Sequence, residues 1–303
     1  MKKCSAGEDE MLFIDIFSDT PEILEQIQQG TEELHIGQNG SIYWKLDSQR
    51  NRVPLNEEHK HRLEMSNRWI GVSLDALSRI DSLHTLFLER IGVNDFTTIG
   101  KMKHLKHLGM RSLRMDTLDL SALSLCERLE SIEILGTMKK SFVPRSPHLL
   151  HIDLSPLSVC KKLKRIKVSS TEANYVTLPS NPVLEVLDLS RNSIITRLMG
   201  RIGDLEDPRN LDLSQLEGCD NLSEINLEWN HIWAIDLSPL GVLQIPPERA
   251  LRVSLLKNGA LAEGYICADG ILDDPRFKIG MDSDAQREVT YVDREGDPKG
   301  DLK

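Results

Sequence analysis

The sequence lacks the features that mark membrane, secreted and nucleic-acid-binding proteins. Nowhere do about 18 apolar residues follow one another, as a membrane-spanning helix requires. Residues 1–8 carry two lysines but no apolar core of a signal peptide. An excess of positive charge is also missing, because the formal net charge is −10 at pH 7, which argues against a broad phosphate-binding surface. These absences predict a cytoplasmic protein that binds neither membrane nor nucleic acid.

Sequence signatures of catalysis are missing as well. The chain contains no Walker phosphate loop, no G-x-S-x-G elbow, no H-E-x-x-H helix and no dinucleotide fingerprint. Each of those motifs supplies a nucleophile, a metal ligand or a phosphate cradle at a fixed spacing. We therefore expect a protein that is not an enzyme and that has no catalytic residue and no cofactor.

What the sequence does contain is a repeat. Seven stretches fit L-x-x-L-x-L-x-x-N, with other apolar residues allowed at the Leu positions and the final Asn often replaced. They begin at Leu83, Leu105, Leu129, Leu163, Leu184, Leu222 and Ala250. A unit this short cannot bury its apolar side alone, so neighbouring copies must stack and share one continuous core. The recurrence predicts a solenoid.

Each repeat predicts two local structures. Its centre, such as Leu86-Phe87-Leu88, alternates apolar and other residues with the period of a strand, and strands of successive units should stack in parallel. Between strands a second pattern recurs, for example Ile152-Asp153-Leu154-Ser155-Pro156-Leu157. We expect the Ser hydroxyl of this pattern to accept the first free amides of a short helical turn on the outer side.

At this point the sequence resembles the leucine-rich repeat superfamily, specifically its short class of about 22 residues per unit. The Asp-Leu-Ser-Pro-Leu-x-x-Cys form is similar to cytoplasmic microbial members. The resemblance implies an α/β right-handed solenoid with a concave parallel β-sheet, short helical or 3-10 turns on the convex side, and protein ligands. The final Asn occurs only at Asn192, Asn230 and Asn258, so we expect no continuous ladder of side-chain amides.

The pattern also divides the chain. We predict an N-terminal cap with a degenerate repeat over residues 1–59, the repeat solenoid over 60–258, a C-terminal cap over 259–281 and a flexible tail over 282–303. Within the first segment, a helix should begin near Pro21 and end near Gly30, and Leu34-His35-Ile36 reads as a degenerate strand. Leu63-Glu64-Met65 reads as another strand of the same stack.

Three of the five cysteines are candidate metal ligands. Cys126, Cys160 and Cys219 lack the paired C-x-x-C spacing of zinc sites. Each lies three residues before the first Leu of a repeat, where Ile80 and Met102 stand in other repeats. We interpret the three thiols as part of an apolar core ladder and predict no metal site.

The solvent side of the parallel sheet is the predicted binding surface, because alternation along each strand exposes a patterned set of side chains there. Charged residues cluster at its centre, and outward aromatic or apolar residues favour a partner over water. The predicted partner-binding residues are Phe87, Arg111, Glu133, Leu135, Arg165, Lys167, Asp188, Glu224, Glu228 and Trp229. A mixed-charge solvated sheet is the competing interpretation.

Two long insertions follow the strands that begin at Leu129 and Leu184. The first carries Lys139, Lys140 and Arg145 without an acid, and the second carries Arg197 and Arg201. We include both in the predicted binding site of a protein of unknown identity, although drift in a tolerant surface loop explains them equally well. The alternative function is a regulator or enzyme that binds a phosphorylated ligand through the basic first insertion.

Overall fold

A computed structural model gives the fold. It describes residues 2–5, 10–15, 31–37, 44–46, 52–54, 71–72, 74–89, 92–93, 96–112, 118–136, 151–171, 173–196, 211–258, 265–268, 271, 273–282 and 290–292. Among these residues, no helix is both long and apolar enough to cross a membrane.

The described secondary structure consists of short strands and 3-10 helices. The strands are, in chain order, β1 (Lys2–Ser5), β2 (Glu10–Asp15), β3 (Glu33–Gly37), β4 (Trp44–Leu46), β5 (Arg52–Pro54), β6 (Gly71–Val72), β7 (Thr85–Glu89), β8 (Gly92–Val93), β9 (His107–Arg111), β10 (Ser131–Leu135), β11 (His151–Asp153), β12 (Arg165–Ser169), β13 (Tyr175–Thr177), β14 (Val186–Asp188), β15 (Ile195–Thr196), β16 (Glu224–Asn226), β17 (His231–Ile232), β18 (Ala234–Asp236), β19 (Leu251–Ser254), β20 (Tyr265–Cys267), β21 (Phe277–Gly280) and β22 (Thr290–Val292). The 3-10 helices span Asp75–Arg79, Phe96–Lys101, Ser121–Leu125, Ser155–Val159, Leu213–Leu216 and Ser238–Val242.

One eleven-stranded sheet runs through the molecule in the order β1-β2-β3-β7-β9-β10-β12-β14-β16-β19-β21. The pair β1 and β2 is antiparallel, and every later neighbouring pair is parallel. The repeat strands pair without slippage, so that Leu86, Leu108, Ile132, Ile166 and Leu187 are successive partners. The predicted parallel stack of repeat strands is therefore confirmed, and the long insertions leave its register intact.

The core lies between this sheet and the 3-10 helices. The inward residues of the strands are fully buried, as are the apolar residues of the turns, among them Leu77, Leu123, Leu157 and Leu240. Together they form one continuous hydrophobic cluster from Leu34 to Phe277. Each repeat thus buries its apolar side against its neighbours, which is the reason why the units stack.

The helical turns form where predicted, but the expected role of serine at their start is wrong. The helices that begin after Leu120, Leu154 and Leu237 have no side-chain cap at that position. Instead, the Asp two residues before each Ser accepts a hydrogen bond from the Ser backbone N–H, at 2.8–2.9 Å. The pairs are Asp119 with Ser121, Asp153 with Ser155, Asp212 with Ser214 and Asp236 with Ser238. A carboxylate is the stronger acceptor and its charge suits a helix start.

A ladder of buried side chains joins the last repeats at one end of their strands. The Asn192 amide donates to the Val168 and Leu189 carbonyls at 2.7 and 2.8 Å. Asn230 and Asn258 repeat the arrangement, and each amide bonds its own repeat and the one before. Thr171 substitutes at the start, where its hydroxyl donates to Asn192 Oδ1 at 2.6 Å. The amide ladder thus covers the three positions that have Asn, and a hydroxyl extends it to residue 171; the earlier positions 91, 113 and 137 lie outside the described residues.

Strands also lie on both sides of the predicted solenoid boundaries. The predicted strand at Leu34-His35-Ile36 is confirmed as β3, while the predicted helix near residues 21–30 and the predicted strand at 63–65 fall outside the described residues. Beyond residue 258, β21 pairs with β19, and a second parallel sheet contains β18, β20 and β22. The division into caps, solenoid and tail stays a prediction.

Candidate functional site

The register of the sheet sorts its outward side chains into rows. The middle row contains His35, Phe87, Gly109, Glu133, Lys167, Asp188, Asn226 and Ser254. The row towards the start of the strands contains Thr85, His107, Ser131, Arg165, Val186, Glu224 and Arg252. The row towards their ends contains Glu89, Arg111, Leu135 and Ser169. Eight predicted residues, from Phe87 to Glu224, therefore share one face.

Four outward positions are nevertheless buried, against the expectation of a fully solvent-exposed face. They are Thr85, Gly109, Ser169 and Ser190. The hydroxyls of Ser169 and Ser190 lie 3.3 Å apart and bond to each other, and Thr85 Oγ1 lies 3.1 Å from His84 Nδ1. The small polar side chains at three of these positions thus bond to neighbouring side chains.

Phe87 covers Gly109. A Cβ atom built on Gly109 would overlap the Phe87 ring, whose Cε1 would lie only 2.5 Å away. The ring therefore rests on the glycine backbone, and the sheet carries a depression of about 230 Å³ beside it. We call this depression the Gly109 pocket; its lining residues are His35, Phe87, Leu88, Glu89, Gly109, Met110, Arg111, Glu133 and Leu135.

The charged centre of the face lies next to this pocket. Lys167 Nζ is 3.3 Å from Glu133 Oε1, so the two central charges of the middle row form an ion pair. Arg165, one row away, is exposed and has no ion-pair partner among the described residues. Of the two cations of the predicted basic centre, Lys167 is therefore paired and Arg165 can bind a partner.

The acidic residues of the predicted site accept hydrogen bonds from a backbone N–H and from a hydroxyl. Asp188 accepts from the Ser190 N–H at 2.9 Å. Glu228 accepts from the Ser254 hydroxyl at 2.6 Å. Glu224 is half-buried in the row of Arg165. These acids stand at defined positions because the strands and turns hold them, which suits specific recognition.

Beyond the ends of the strands, an exposed aromatic side chain packs against an arginine. Trp229 is 48% exposed, and the Arg191 guanidinium lies 5.2 Å from its ring centroid. Both residues have left-handed backbone, with φ of 58°, and each directly precedes a ladder asparagine. Because Asn192 and Asn230 fix this turn, the Trp229 ring projects from a rigid edge.

The cysteines behave as core residues. Cys126, Cys160 and Cys219 are at most 2% exposed, which confirms the predicted core ladder. Burial, together with the neighbouring Cys160, raises the pKa of the Cys126 thiol to about 12, and burial raises the pKa of Cys160 to about 11. Thiols held neutral in this way are poor nucleophiles and poor metal ligands. Within the described part of the chain, no group of three potential ligands is placed to hold a metal ion.

Sequence reasoning missed three contributors to this surface. Arg191 was overlooked although it stands one residue before Asn192, as Trp229 stands before Asn230. His35 was assigned to a degenerate strand, and it reaches the pocket because β3 pairs with β7. Gly109 has no side chain to attract notice. The predicted insertion residues Lys139, Lys140, Arg145, Arg197 and Arg201 lie outside the described residues.

Comparisons with known proteins concern the fold. No protein-family model and no curated protein matches the chain. Among solved structures, internalin C2 from Listeria monocytogenes is similar at 16% identity, over 71% of this chain and 78% of its own, with a TM-score of 0.47. The leucine-rich repeat domain of APL1 matches at 16% identity, over 73% of this chain and 47% of its own, with a TM-score of 0.44.

A leucine-rich repeat protein from Leptospira interrogans matches at 14% identity, over 86% of this chain and 71% of its own, with a TM-score of 0.30. The architecture itself follows from the chain's own features: seven copies of the repeat, one parallel sheet in continuous register, 3-10 turns opposite the sheet and a ladder of buried asparagines. The chain folds as a leucine-rich repeat solenoid.

Proposed function

We propose that the protein is a non-catalytic scaffold that binds another protein through the outward face of its main sheet. The observation that supports this proposal is that one face of the sheet combines an apolar depression, a central ion pair and two exposed arginines, Arg111 and Arg165. Stacked repeats commonly present such extended surfaces to protein ligands. Aromatic residues and arginine are also the side chains that most often dominate protein interfaces.

A protein partner fits this face better than a nucleic acid. Phosphate binding requires a cluster of cations, whereas here Glu133, Asp188, Glu224 and Glu228 stand among the basic residues. The overall charge of −10 adds repulsion. Mixed charges at fixed positions instead suit a partner of complementary pattern.

The two insertions extend the proposed surface. The first begins directly after Leu135 and Gly136, at the edge of the Gly109 pocket, and its residues 138–148 include Lys139, Lys140 and Arg145. The second, over residues 193–210, contains β15 and includes Arg197 and Arg201. We propose that these basic side chains supplement the contacts of the sheet.

A reducing compartment suits the thiols. Cys126, Cys160 and Cys219 are buried and form no disulfide, whereas disulfides are common in secreted proteins. We propose a cytoplasmic location on this ground, together with membership of the short-repeat class typical of cytoplasmic microbial proteins.

Affinity capture tests the function. Wild-type protein and two double variants are incubated with lysate of the cells that produce the protein, and bound proteins are quantified by mass spectrometry. Arg165→Glu with Lys167→Glu reverses two charges on the proposed face. Lys161→Glu with Lys162→Glu makes the same change in charge on the exposed turn of the same repeat.

A partner should be enriched by wild type and by the Lys161, Lys162 control, and lost from the Arg165, Lys167 variant. Equal capture by all three proteins would remove the sheet face from the proposal. If no protein is enriched over an unrelated bait, the scaffold function itself is wrong.

A further inference from the structure

The Gly109 pocket lies on six outward positions of the sheet, two on each of three neighbouring strands. Phe87, Gly109 and Glu133 form one row across β7, β9 and β10, and Glu89, Arg111 and Leu135 form the next. Every position except Gly109 carries a substantial side chain. Because Gly109 has no side chain, the Phe87 ring lies over its backbone, and the depression opens beside the ring, with Phe87 and Leu135 as apolar walls.

The charges around the pocket are unequally satisfied. Glu133 has Lys167 at 3.3 Å, and Glu89 has His35 Nε2 at 3.3 Å. Arg111 is exposed, and no carboxylate among the described residues pairs with it. Each of the two acids of the lining thus has a side-chain nitrogen 3.3 Å away, whereas the one arginine has a guanidinium available for a ligand.

From this arrangement we infer that the pocket binds an internal segment of the partner protein with the pattern apolar-x-acid, in which a large apolar side chain fills the depression and an Asp or Glu bonds Arg111. The inference rests on the proposed function of the sheet face and adds the chemistry of the partner. An arginine fork holds a carboxylate with two parallel hydrogen bonds, which gives direction as well as affinity.

The spacing follows from the strand itself. Gly109 and Arg111 are two residues apart on β9, a separation of about 7 Å in extended chain. Side chains two residues apart in an extended peptide lie on the same side and are separated by the same distance. One intervening residue therefore brings the apolar group and the carboxylate to the two positions together.

An internal segment fits better than a chain end. A segment that lies along β9 runs over the outward position of His107 before Gly109 and passes the end of the strand after Arg111. A bound chain can therefore enter at one side and leave at the other. The carboxylate that meets Arg111 is then a side chain and not the terminus.

A displayed library of random dodecapeptides tests the inference, because it needs no knowledge of the natural partner. The library is selected on wild type, on Arg111→Gln and on Arg252→Gln, and the enriched sequences are read. Arg252 is the matched control, since it is an exposed arginine on the same face at β19, away from the pocket. Both substitutions change surface side chains, so folding should be retained, which thermal unfolding verifies.

Wild type and Arg252→Gln should enrich the apolar-x-acid pattern, and Arg111→Gln should not. A synthetic peptide of the enriched sequence should bind Arg111→Gln about tenfold more weakly or worse than wild type. Replacing its acid by the amide should weaken binding to wild type and have little effect on Arg111→Gln.

Enriched peptides without an acid, or equal losses in both arginine variants, would overturn the inference, and so would a library without enrichment. A peptide that ends in an apolar residue with a free carboxylate and binds more tightly than the internal sequence would overturn the choice of an internal segment. If enriched peptides depend on Lys167 and not on Arg111, the sheet face remains the binding surface and the chemistry assigned to the pocket is wrong.

Discussion

Single residues with left-handed backbone set the shape of each turn beyond the sheet. Ser112, Ser170, Arg191, Trp229 and Lys257 have φ between 53° and 63°, and each directly precedes a ladder position. Residues with a Cβ atom are disfavoured in this conformation, whereas glycine adopts it freely. Keeping Arg191 and Trp229 there costs stability, and it places two large side chains on the rim.

Ser170→Gly should stabilise the protein by up to about 1 kcal/mol. Glycine removes the conformational penalty of the left-handed backbone, and the larger entropy of the unfolded glycine variant offsets part of this gain. Urea unfolding of both proteins measures the difference. Ser78→Gly is the control for serine loss at a position without left-handed backbone, and it should destabilise. A destabilised Ser170→Gly variant would show that the serine side chain contributes more than the turn geometry costs.

Asn230 is the middle asparagine of the ladder. Its amide donates to Leu189 and Leu227 carbonyls at 2.9 Å, and its oxygen accepts from the Ile194 N–H at 3.3 Å. Asn230→Ala leaves these buried groups without a partner and should lower the free energy of unfolding by about 3 kcal/mol.

Asn221→Ala removes an exposed asparagine with a single bond, to the Pro182 carbonyl at 2.8 Å, and should cost under about 1 kcal/mol. Denaturant unfolding at equal protein concentration compares the two variants. Similar losses would mean that the buried ladder adds little to stability.

Among the elements, the 3-10 helices should make the stability of the protein depend on pH through the aspartates that precede them. The Ser121 hydroxyl and then the Ser121 backbone N–H, both donating to Asp119, hold the pKa of this carboxyl below its usual range. A folded-state pKa below the unfolded value means that the contribution to stability is present above the ordinary pKa of an aspartate. It is lost as the pH falls through the lower folded value.

Asp119→Ala should therefore lower stability by about 0.5 kcal/mol at pH 7, a small value because the group is exposed to solvent. The difference from wild type should shrink as the pH falls below about 4. Asp273→Ala, at an exposed aspartate without a hydrogen bond among the described residues, is the control. A difference that stays constant from pH 7 to acid would contradict a role for the charged carboxylate.

The elements also show what the sequence can predict. The period of the apolar residues is enough to place the repeat strands and their register, because a slip by one residue would expose Leu108 or Ile132. The asparagines and cysteines follow from their constant offsets within the repeat. Identifying Asp119 as the bonding partner required coordinates, because Asp and Ser are both good acceptors at a helix start.

The candidate site was less predictable from the sequence than the repeat strands were. Alternation gives the direction of Phe87 and Lys167, but contacts between strands decide what is exposed. Thr85 and Ser169 point outward and are buried, and Gly109 matters because a ring from the neighbouring strand lies on it. The pairing of Lys167 with Glu133 likewise depends on two strands whose repeats begin 34 residues apart, at Leu129 and Leu163.

In the whole molecule, one face of a continuous sheet is the proposed binding surface. The sheet is rigid because each of its strands except the edge strands β1 and β21 pairs on both sides, and its inner residues share one core. The opposite side also exposes apolar residues, Leu125, Val159 and Val242, at the ends of three 3-10 helices. A direct measurement must therefore distinguish the two sides.

Carboxylate footprinting of the wild-type protein with and without its captured partner makes that distinction. Carbodiimide labels exposed acids, and mass spectrometry locates the label. The account predicts that the partner protects Glu133, Asp188 and Glu224 on the sheet and leaves the exposed Glu127 and Glu217 on the outer turns labelled as before. Protection of Glu127 and Glu217 with no change at Glu133, Asp188 and Glu224 would contradict it.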